Sequence, residues 1–107
     1  PKAIGVVGML GDKDVWSGAR ELAGVFDHLI LTTAPGSRGL PALELADVFS
    51  SEGVEVEDIE DDFWQAYEQA IRLGQKTNKP VFVTGSLYLV GAVLERLQMQ
   101  DKEDIAE

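Results

Sequence analysis

Three short segments of the chain carry a continuous apolar run that ends at threonine or glycine: residues 3–8, 28–33 and 80–85. Strands that are covered on both faces show such runs, because neither face meets water. A fourth segment, residues 53–57, alternates between apolar and acidic positions, which is typical of an edge strand with one wet face. The pattern predicts three strands that are buried on both faces and one edge strand.

Between these segments the apolar positions recur every three or four residues, which is the period of an amphipathic helix. The predicted helices start after Asp12 or Asp14, at Pro41, after Asp61 or Asp62, and at Ser86. Their inward-facing residues are predicted to be Val15, Trp16, Ala19, Leu22, Ala23 and Phe26; Ala42, Leu45, Ala46 and Phe49; Phe63, Ala66, Tyr67 and Ala70; and Leu89, Val90, Val93, Leu94 and Leu97. Gly53 and Gly74 mark the ends of the second and third helices.

Strands and helices therefore alternate four times, which predicts a parallel sheet with right-handed crossovers and helices on both faces. We expect a Rossmann-like, three-layer α/β/α domain with four parallel strands. Gly8 and Gly85 stand where the first and fourth strands end, each followed by a helix start that favours anions. With the strand order 4-1-2-3 these two loops face each other at the switch point, where open parallel sheets bind ligands.

The composition narrows the class of protein. A chain of 107 residues and 11.6 kDa forms one domain, and the absence of cysteine excludes disulfides, thiolate metal sites and a cysteine nucleophile. The formal charge of −10 argues against a nucleic-acid partner. No run is long and apolar enough for a membrane span and no signal peptide is evident, so we expect a cytoplasmic location with no membrane partner.

The negative charge is unevenly distributed. Residues 52–62 hold seven acids and no base, and residues 101–107 hold four acids and one lysine. The rest of the chain is neutral, with eight acids and eight bases. We expect residues 99–107 to form an acidic tail, frayed or disordered, beyond the domain.

Few side chains combine a reactive group with a position at the predicted ligand edge. Ser86 is either an N-cap or a donor to a carboxylate or phosphate. Lys13 and Arg38 are either surface charges or ligands of an anion. A structural role is expected for three other conspicuous side chains, namely His28, Trp16 and Trp64.

Common nucleotide-binding motifs are missing from the chain. There is no G-x-x-x-x-G-K-[ST] segment, and the glycines at positions 5, 8 and 11 do not match G-x-G-x-x-G. The second strand ends in Thr32 and Thr33, where a dinucleotide-binding domain usually has an acid. A receiver domain needs an aspartate at the end of a central strand, and neither Thr33 nor Thr84 supplies it.

Three motifs in order resemble one family. They are residues 6–14, with Gly-Asp-Lys-Asp; residues 29–33, followed by Pro35 and Arg38; and residues 83–91, with Thr-Gly-Ser-Leu-Tyr. Together they resemble the carboxy-terminal domain of bacterial folylpolyglutamate synthase/dihydrofolate synthase, in the Mur ligase superfamily. The likeness spans residues 3 to 98, and we take 1–98 as the domain. Gly39 departs from the family, in which alanine commonly follows this arginine.

The resemblance implies an ATP-dependent ligase that adds L-glutamate to dihydropteroate or folate through an acyl phosphate. ATP and Mg²⁺ would be bound mainly by an amino-terminal ATPase domain on the same polypeptide of the full-length enzyme, and the other partners would be the small-molecule substrates. Ser86, Tyr88, Lys13, Asp12 and Arg38 would bind glutamate or act in domain closure. No catalytic residue and no metal ligand is assigned to this chain.

The resemblance is incomplete at the amino-terminal side. The family has an Asp-Gly-Ala-His-Asn type segment whose strands lie next to the fourth strand, and neither it nor the ATPase domain is in this chain. We therefore expect a fragment that is inactive alone, with the edge of the fourth strand open or covered by a neighbouring molecule. Two alternatives remain: a Mur-type peptidoglycan ligase domain, or a stand-alone Rossmann-like binding module without catalysis.

Overall fold

The computed structural model of the chain describes the backbone of residues 2–11 and 14–106, with side chains up to Lys102. The strands are β1 Ala3–Val7, β2 Phe26–Leu31, β3 Asp58–Ile59 and β4 Val81–Thr84. The helices are α1 Val15–Leu22, α2 Ala42–Ser51, α3 Phe63–Thr77 and α4 Leu87–Ala106. The predicted alternation of strands and helices is confirmed.

The four strands form one parallel sheet in the order β3-β2-β1-β4, which confirms the predicted 4-1-2-3 order. All five residues of β1 are buried between β2 and β4. One core cluster packs α1 and α2 against one face of the sheet, around Leu45 and Phe49. Two further clusters pack α3 and α4 against the other face, around Ala66 and Leu89. The molecule therefore has the three layers expected from its sequence.

The two edge strands differ from the sequence prediction. The predicted strand at residues 53–57 is wrong in position, because the ladder with β2 forms only at Asp58–Ile59. Val54 and Val56 pack instead against the core cluster beneath α2. Strand β4 is not buried on both faces: Phe82 is 54% exposed, because β4 lies at the edge of the sheet.

The helix starts confirm part of the capping prediction. The Asp14 carboxylate accepts a hydrogen bond from the Ser17 backbone N–H at 3.1 Å. Asp62, rather than Asp61, accepts one from the Gln65 N–H at 2.9 Å. Each satisfies an amide that the first helical turn leaves unpaired.

The helix ends differ more from the prediction. Phe26 belongs to β2 instead of continuing the stripe of α1. Helix α3 passes Gly74 and ends at Thr77, and its C-cap Asn78 has a left-handed φ of 57°. A Cβ at Gly74 would lie 2.9 Å from the Lys79 carbonyl oxygen, so this glycine permits close packing. Helix α4 continues to Ala106, so residues 99–106 are helical rather than disordered.

Helix α2 shows how strongly one face of a helix is buried here. Phe49 is 0% exposed, whereas Leu43 on the same helix is 71% exposed.

Among the residues that the structure describes, none of the helices has the length and apolar character needed to cross a bilayer.

We expect Phe49→Ala to lower the free energy of unfolding by about 3–5 kcal/mol, because it removes a fully buried ring and leaves a cavity. Leu43→Ala, on the same helix, should change it by less than about 0.5 kcal/mol. Urea denaturation of both variants, followed by circular dichroism, measures the difference. Equal losses in the two variants would contradict the position of α2.

Candidate functional site

The loops that follow β1 and β4 meet at the carboxyl edge of the sheet. The Gly8 backbone N–H donates to the Thr84 carbonyl oxygen at 3.3 Å. Gly85 has a φ of 103°, and a Cβ there would lie 2.4 Å from the Gly8 carbonyl oxygen. Both the positive φ and the close approach to Gly8 require glycine at position 85. The predicted juxtaposition of the two loops at the switch point is confirmed.

Ser86 lies at the start of α4 with only 3% of its surface exposed. Its hydroxyl oxygen accepts hydrogen bonds from the backbone N–H groups of Tyr88 and Leu89, at 3.1 Å and 3.4 Å. Ser86 is therefore the N-cap of α4, the first of its two predicted roles. Contact of this hydroxyl with a ligand stays a prediction.

The loop after β2 folds back onto the loop after β1. Leu10 and Gly39 form an isolated antiparallel bridge. The Gly11 N–H donates to the Arg38 carbonyl at 2.9 Å, and the Leu40 N–H donates to the Met9 carbonyl at 2.8 Å. The backbone of Arg38 is thus tied to the first strand-end loop.

Gly39 is required for this arrangement. A Cβ built on Gly39 would lie 2.0 Å from the carbonyl oxygen of Ala34, well inside any allowed contact. The tightly closed 34–39 loop is therefore compatible only with glycine at position 39, where the sequence departs from the family pattern. The loop reverses through Gly36, whose φ is 99°.

A cleft of about 180 Å³ opens between this loop and the start of α4. It is lined by Leu10, Pro35, Gly36, Ser37, Arg38 and Tyr88. The structure thus brings together Arg38 and Tyr88, two of the predicted site residues, although 50 positions separate them in the sequence. The Ser86 hydroxyl accepts a hydrogen bond from the Tyr88 N–H, and this bond fixes the backbone of Tyr88 beside the cleft.

The side chains around this cleft suit an anion with a short apolar stem. A guanidinium can bind a carboxylate through two parallel N–H groups, and a phenol hydroxyl can donate a further hydrogen bond. Leu10 and Pro35 supply apolar contacts. Asp12 and Lys13, the other two predicted site residues, lie outside the described residues.

A second cleft, of about 350 Å³, lies between α1 and the end of β4 and has the opposite charge. Asp14 and Glu21 line it together with Ser17 and Thr84. The side-chain hydrogen bond from the Ser17 hydroxyl, at 2.6 Å, is the main cause of a pKa of Asp14 below the usual 3.8. Because Asp14 is ionised at neutral pH, this cleft disfavours anions.

Leu10 and Ser37, which line the Arg38 cleft, and Thr33, at the start of α2, are not among the residues predicted for the site. Thr33 donates to an Asp61 carboxylate oxygen at 2.5 Å, and its hydroxyl accepts from the Ala42 N–H at 2.9 Å. Thr33 therefore caps the first turn of α2, since Pro41 at the N-cap position makes no side-chain hydrogen bond. The Pro-Gly-Ser turn before Arg38 was the only signal in the sequence for a folded loop here.

A structural role is expected for His28, Trp16 and Trp64, and these three side chains differ in their contacts. His28 Nδ1 lies 2.6 Å from Glu57 Oε1. Trp64 is buried, stacks on Tyr67 at 5.2 Å, and lies 4.9 Å from the Arg96 guanidinium carbon. Trp16 is 44% exposed and does not pack inward as predicted.

Comparison with solved structures identifies relatives of this fold. E. coli FolC in complex with DHPP and ADP has 27% identity and a TM-score of 0.81, over 94% of this chain and 23% of FolC. The bifunctional folylpolyglutamate synthase/dihydrofolate synthase of Yersinia pestis, complexed with AMPPNP and Mn ion, has 31% identity and a TM-score of 0.76, over 91% and 22%. Mycobacterium tuberculosis folylpolyglutamate synthase, complexed with ADP and AMPPCP, has 26% identity and a TM-score of 0.78, over 86% and 22%.

The predicted resemblance to the carboxy-terminal domain of folylpolyglutamate synthases is confirmed. This folylpolyglutamate synthase-like chain spans 22% to 23% of the length of those three structures. No family model and no curated protein matches its sequence. The relatives were solved with nucleotides, and one with a Mn ion, so nucleotide and metal binding occur in the family.

We expect Gly39→Ala to disrupt the loop that carries Arg38, because the added methyl group would displace the Ala34 carbonyl. Gly11→Ala is the matched control in the bridged loop, since its Cβ meets only ordinary contacts at 3.8 Å. The Gly39 variant should lose more than about 2 kcal/mol of stability, and the Gly11 variant less than about 1 kcal/mol. Thermal denaturation of the pair measures the difference, and equal stability would contradict the loop geometry.

Proposed function

We propose that this chain is the amino-acid-binding lobe of an ATP-dependent ligase that adds L-glutamate to dihydropteroate or a folate. The cleft between Arg38 and Tyr88 carries the proposal, because it offers a cation and a hydroxyl above an apolar floor at the carboxyl edge of a parallel sheet. Its volume of about 180 Å³ suits one amino acid rather than a pterin. The relatives support the class of ligase.

The role of the chain in the proposed reaction is to bind and orient glutamate. The Arg38 guanidinium would hold one glutamate carboxylate, and the Tyr88 hydroxyl would donate to the same group. With that carboxylate fixed, the amine of glutamate is held towards an acyl phosphate of the other substrate. Positioning of this kind accelerates a two-substrate reaction by lowering the entropy lost on the way to the transition state.

ATP and Mg²⁺ would be bound mainly by an amino-terminal ATPase domain on the same polypeptide of the full-length enzyme. Within residues 2–11 and 14–106, no group of three or more histidines and acids is placed to hold a metal ion. The chain also has no P-loop motif. We assign glutamate binding and domain closure to this chain.

The distribution of charge is compatible with anionic substrates. The acids of residues 52–62 surround β3, at the edge of the sheet farthest from β4. The Arg38 cleft opens between the loop after β2 and the start of α4, within the neutral part of the chain. Physiological salt screens charges beyond a Debye length of about 8 Å, which weakens the effect of the more distant of these acids on a bound carboxylate.

Binding of L-glutamate to the 107-residue chain tests the proposal directly. We expect a titration followed by ¹⁵N NMR to shift the amide signals of Ser37 and Tyr88, with a Kd of about 1 mM or weaker. Arg38→Ala should abolish these shifts, because it removes the cation. The control Arg20→Ala loses a cation on α1 that pairs with Glu52 and should leave them unchanged. A folded chain that shows no shift in saturating glutamate would contradict the proposal.

Ser86→Ala separates a ligand-binding role from capping. Loss of the cap alone should cost about 1 kcal/mol of stability. If the hydroxyl also serves glutamate, the ligase that carries this domain should show a KM for glutamate raised more than about tenfold, with little change in kcat. Ser86→Thr keeps the hydroxyl and should restore the KM. Unchanged glutamate kinetics with a lowered Tm would leave Ser86 as a cap only.

A further inference from the structure

The hydroxyl of Thr33 joins three segments at the carboxyl edge of the sheet. Thr33 follows β2, and its hydroxyl oxygen accepts a hydrogen bond from the Ala42 N–H in the first turn of α2. The same hydroxyl donates to an Asp61 carboxylate oxygen, in the segment that leads into α3. A hydroxyl has one proton, and because Asp61 accepts that proton, the oxygen lone pairs are left to accept from Ala42. Asp61 therefore orients the Thr33 hydroxyl towards α2.

Thr33 and Ala42 flank the segment that carries Arg38. Residues 34–41 lie between them, and the hydrogen bond from the Ala42 N–H to the Thr33 hydroxyl closes this segment into a loop. Ala42 is 0% exposed, so water cannot replace the hydroxyl as the acceptor of its N–H. Because a buried N–H without an acceptor is costly, this bond opposes opening of the loop at its base.

The backbone that carries Asp61 is itself fastened to the sheet. The Glu60 N–H donates to the Leu31 carbonyl at 2.8 Å, which ties the segment after β3 to the end of β2. The hydroxyl of Thr32, a residue that is 0% exposed, donates to the Asp61 carbonyl at 3.2 Å. The carboxylate that orients Thr33 is therefore held on a fixed backbone.

The base of the 34–41 loop controls the position of residues that line the Arg38 cleft. Main-chain hydrogen bonds to the loop after β1 hold the middle of the loop, at Arg38 and Leu40. Ala34, its first residue, is buried in the core cluster that also contains Leu89 of α4. A shift at the base of the loop would therefore move Pro35 and Arg38 relative to α4, which carries the opposite wall of the cleft.

We propose that Thr33 is a positioning residue for glutamate: its hydroxyl closes the base of the 34–41 loop and so holds Arg38 opposite Tyr88. Thr33 is not part of the lining of the cleft, so it acts through Arg38. The inference rests on the proposed function, because it takes glutamate as the ligand of this cleft. A loop that is closed for only part of the time binds more weakly, since the apparent Kd rises by the reciprocal of the closed fraction.

This role gives Asp61 an effect on glutamate binding that is opposite in sign to the effect of its charge. Through its charge alone Asp61 repels an anionic ligand, so its removal would strengthen glutamate binding. As the group that orients Thr33, its removal weakens glutamate binding instead. Asp61→Asn removes the charge but keeps an oxygen that can accept from the Thr33 hydroxyl, so the two effects can be separated.

Thr33→Val tests the hydroxyl in the 107-residue chain, because valine keeps the branched shape of threonine. At a temperature where every variant is folded, we expect the Kd for L-glutamate from ¹⁵N NMR titration to rise about fivefold or more. The Ala42 amide hydrogen should also exchange faster with solvent. Thr33→Ser keeps the hydroxyl and should restore both values. The control Thr77→Val removes a hydroxyl that donates to the Leu73 carbonyl at 2.7 Å on α3, and should leave the Kd unchanged.

Two variants at position 61 test the same role without a change at Thr33. Asp61→Ala should raise the Kd for glutamate about threefold or more, and Asp61→Asn should leave it within about twofold. Tighter binding by Asp61→Ala would overturn the positioning role, and so would a Thr33→Val chain that is less stable but has an unchanged Kd. An unmodified chain that binds no glutamate would instead contradict the proposed function itself, and the positioning role would fall with it.

Discussion

Strand β1 pairs on both sides, with β2 and with β4, and all five of its residues are buried. A buried strand cannot leave main-chain groups unpaired, so both neighbours are held in register along its length. That pairing brings the ends of three strands to one edge of the sheet. The contact between Gly8 and Gly85, and the bridge between Leu10 and Gly39, both follow from it. The Arg38 cleft depends on those two contacts.

The cleft is assembled almost entirely by the backbone. Arg38 reaches its place because two main-chain hydrogen bonds tie its loop to the loop after β1, and because Gly39 lets that loop close on Ala34. Tyr88 reaches its place because Ser86 caps α4 directly after β4. The side chains that line the cleft can therefore change without altering the fold, and one fold can bind different ligands.

The two edges of the sheet differ in charge. Acids crowd the short β3 edge, where His28 and Glu57 also meet at 2.6 Å. At the amino-terminal end of β2, Lys79 pairs with Asp27, and this hydrogen bond lowers the pKa of the Asp27 carboxyl. The β4 edge carries an exposed phenylalanine instead. The net charge of −10 thus comes from residues 52–62 and from residues 101–107, and the rest of the chain is neutral.

The sequence by itself determined the alternation of strands and helices and the motifs of the family resemblance. It also narrowed the cap of α1 to Asp12 or Asp14 and offered Ser86 as the cap of α4. These features are local, since apolar periodicity, glycine placement and capping residues act over a few positions. Tertiary structure alone decided that β3 starts at Asp58, that Phe82 is exposed, and that Arg38 and Tyr88 share a cleft. Each of these depends on contacts between residues far apart in the chain, and such contacts leave no periodic signal in the sequence.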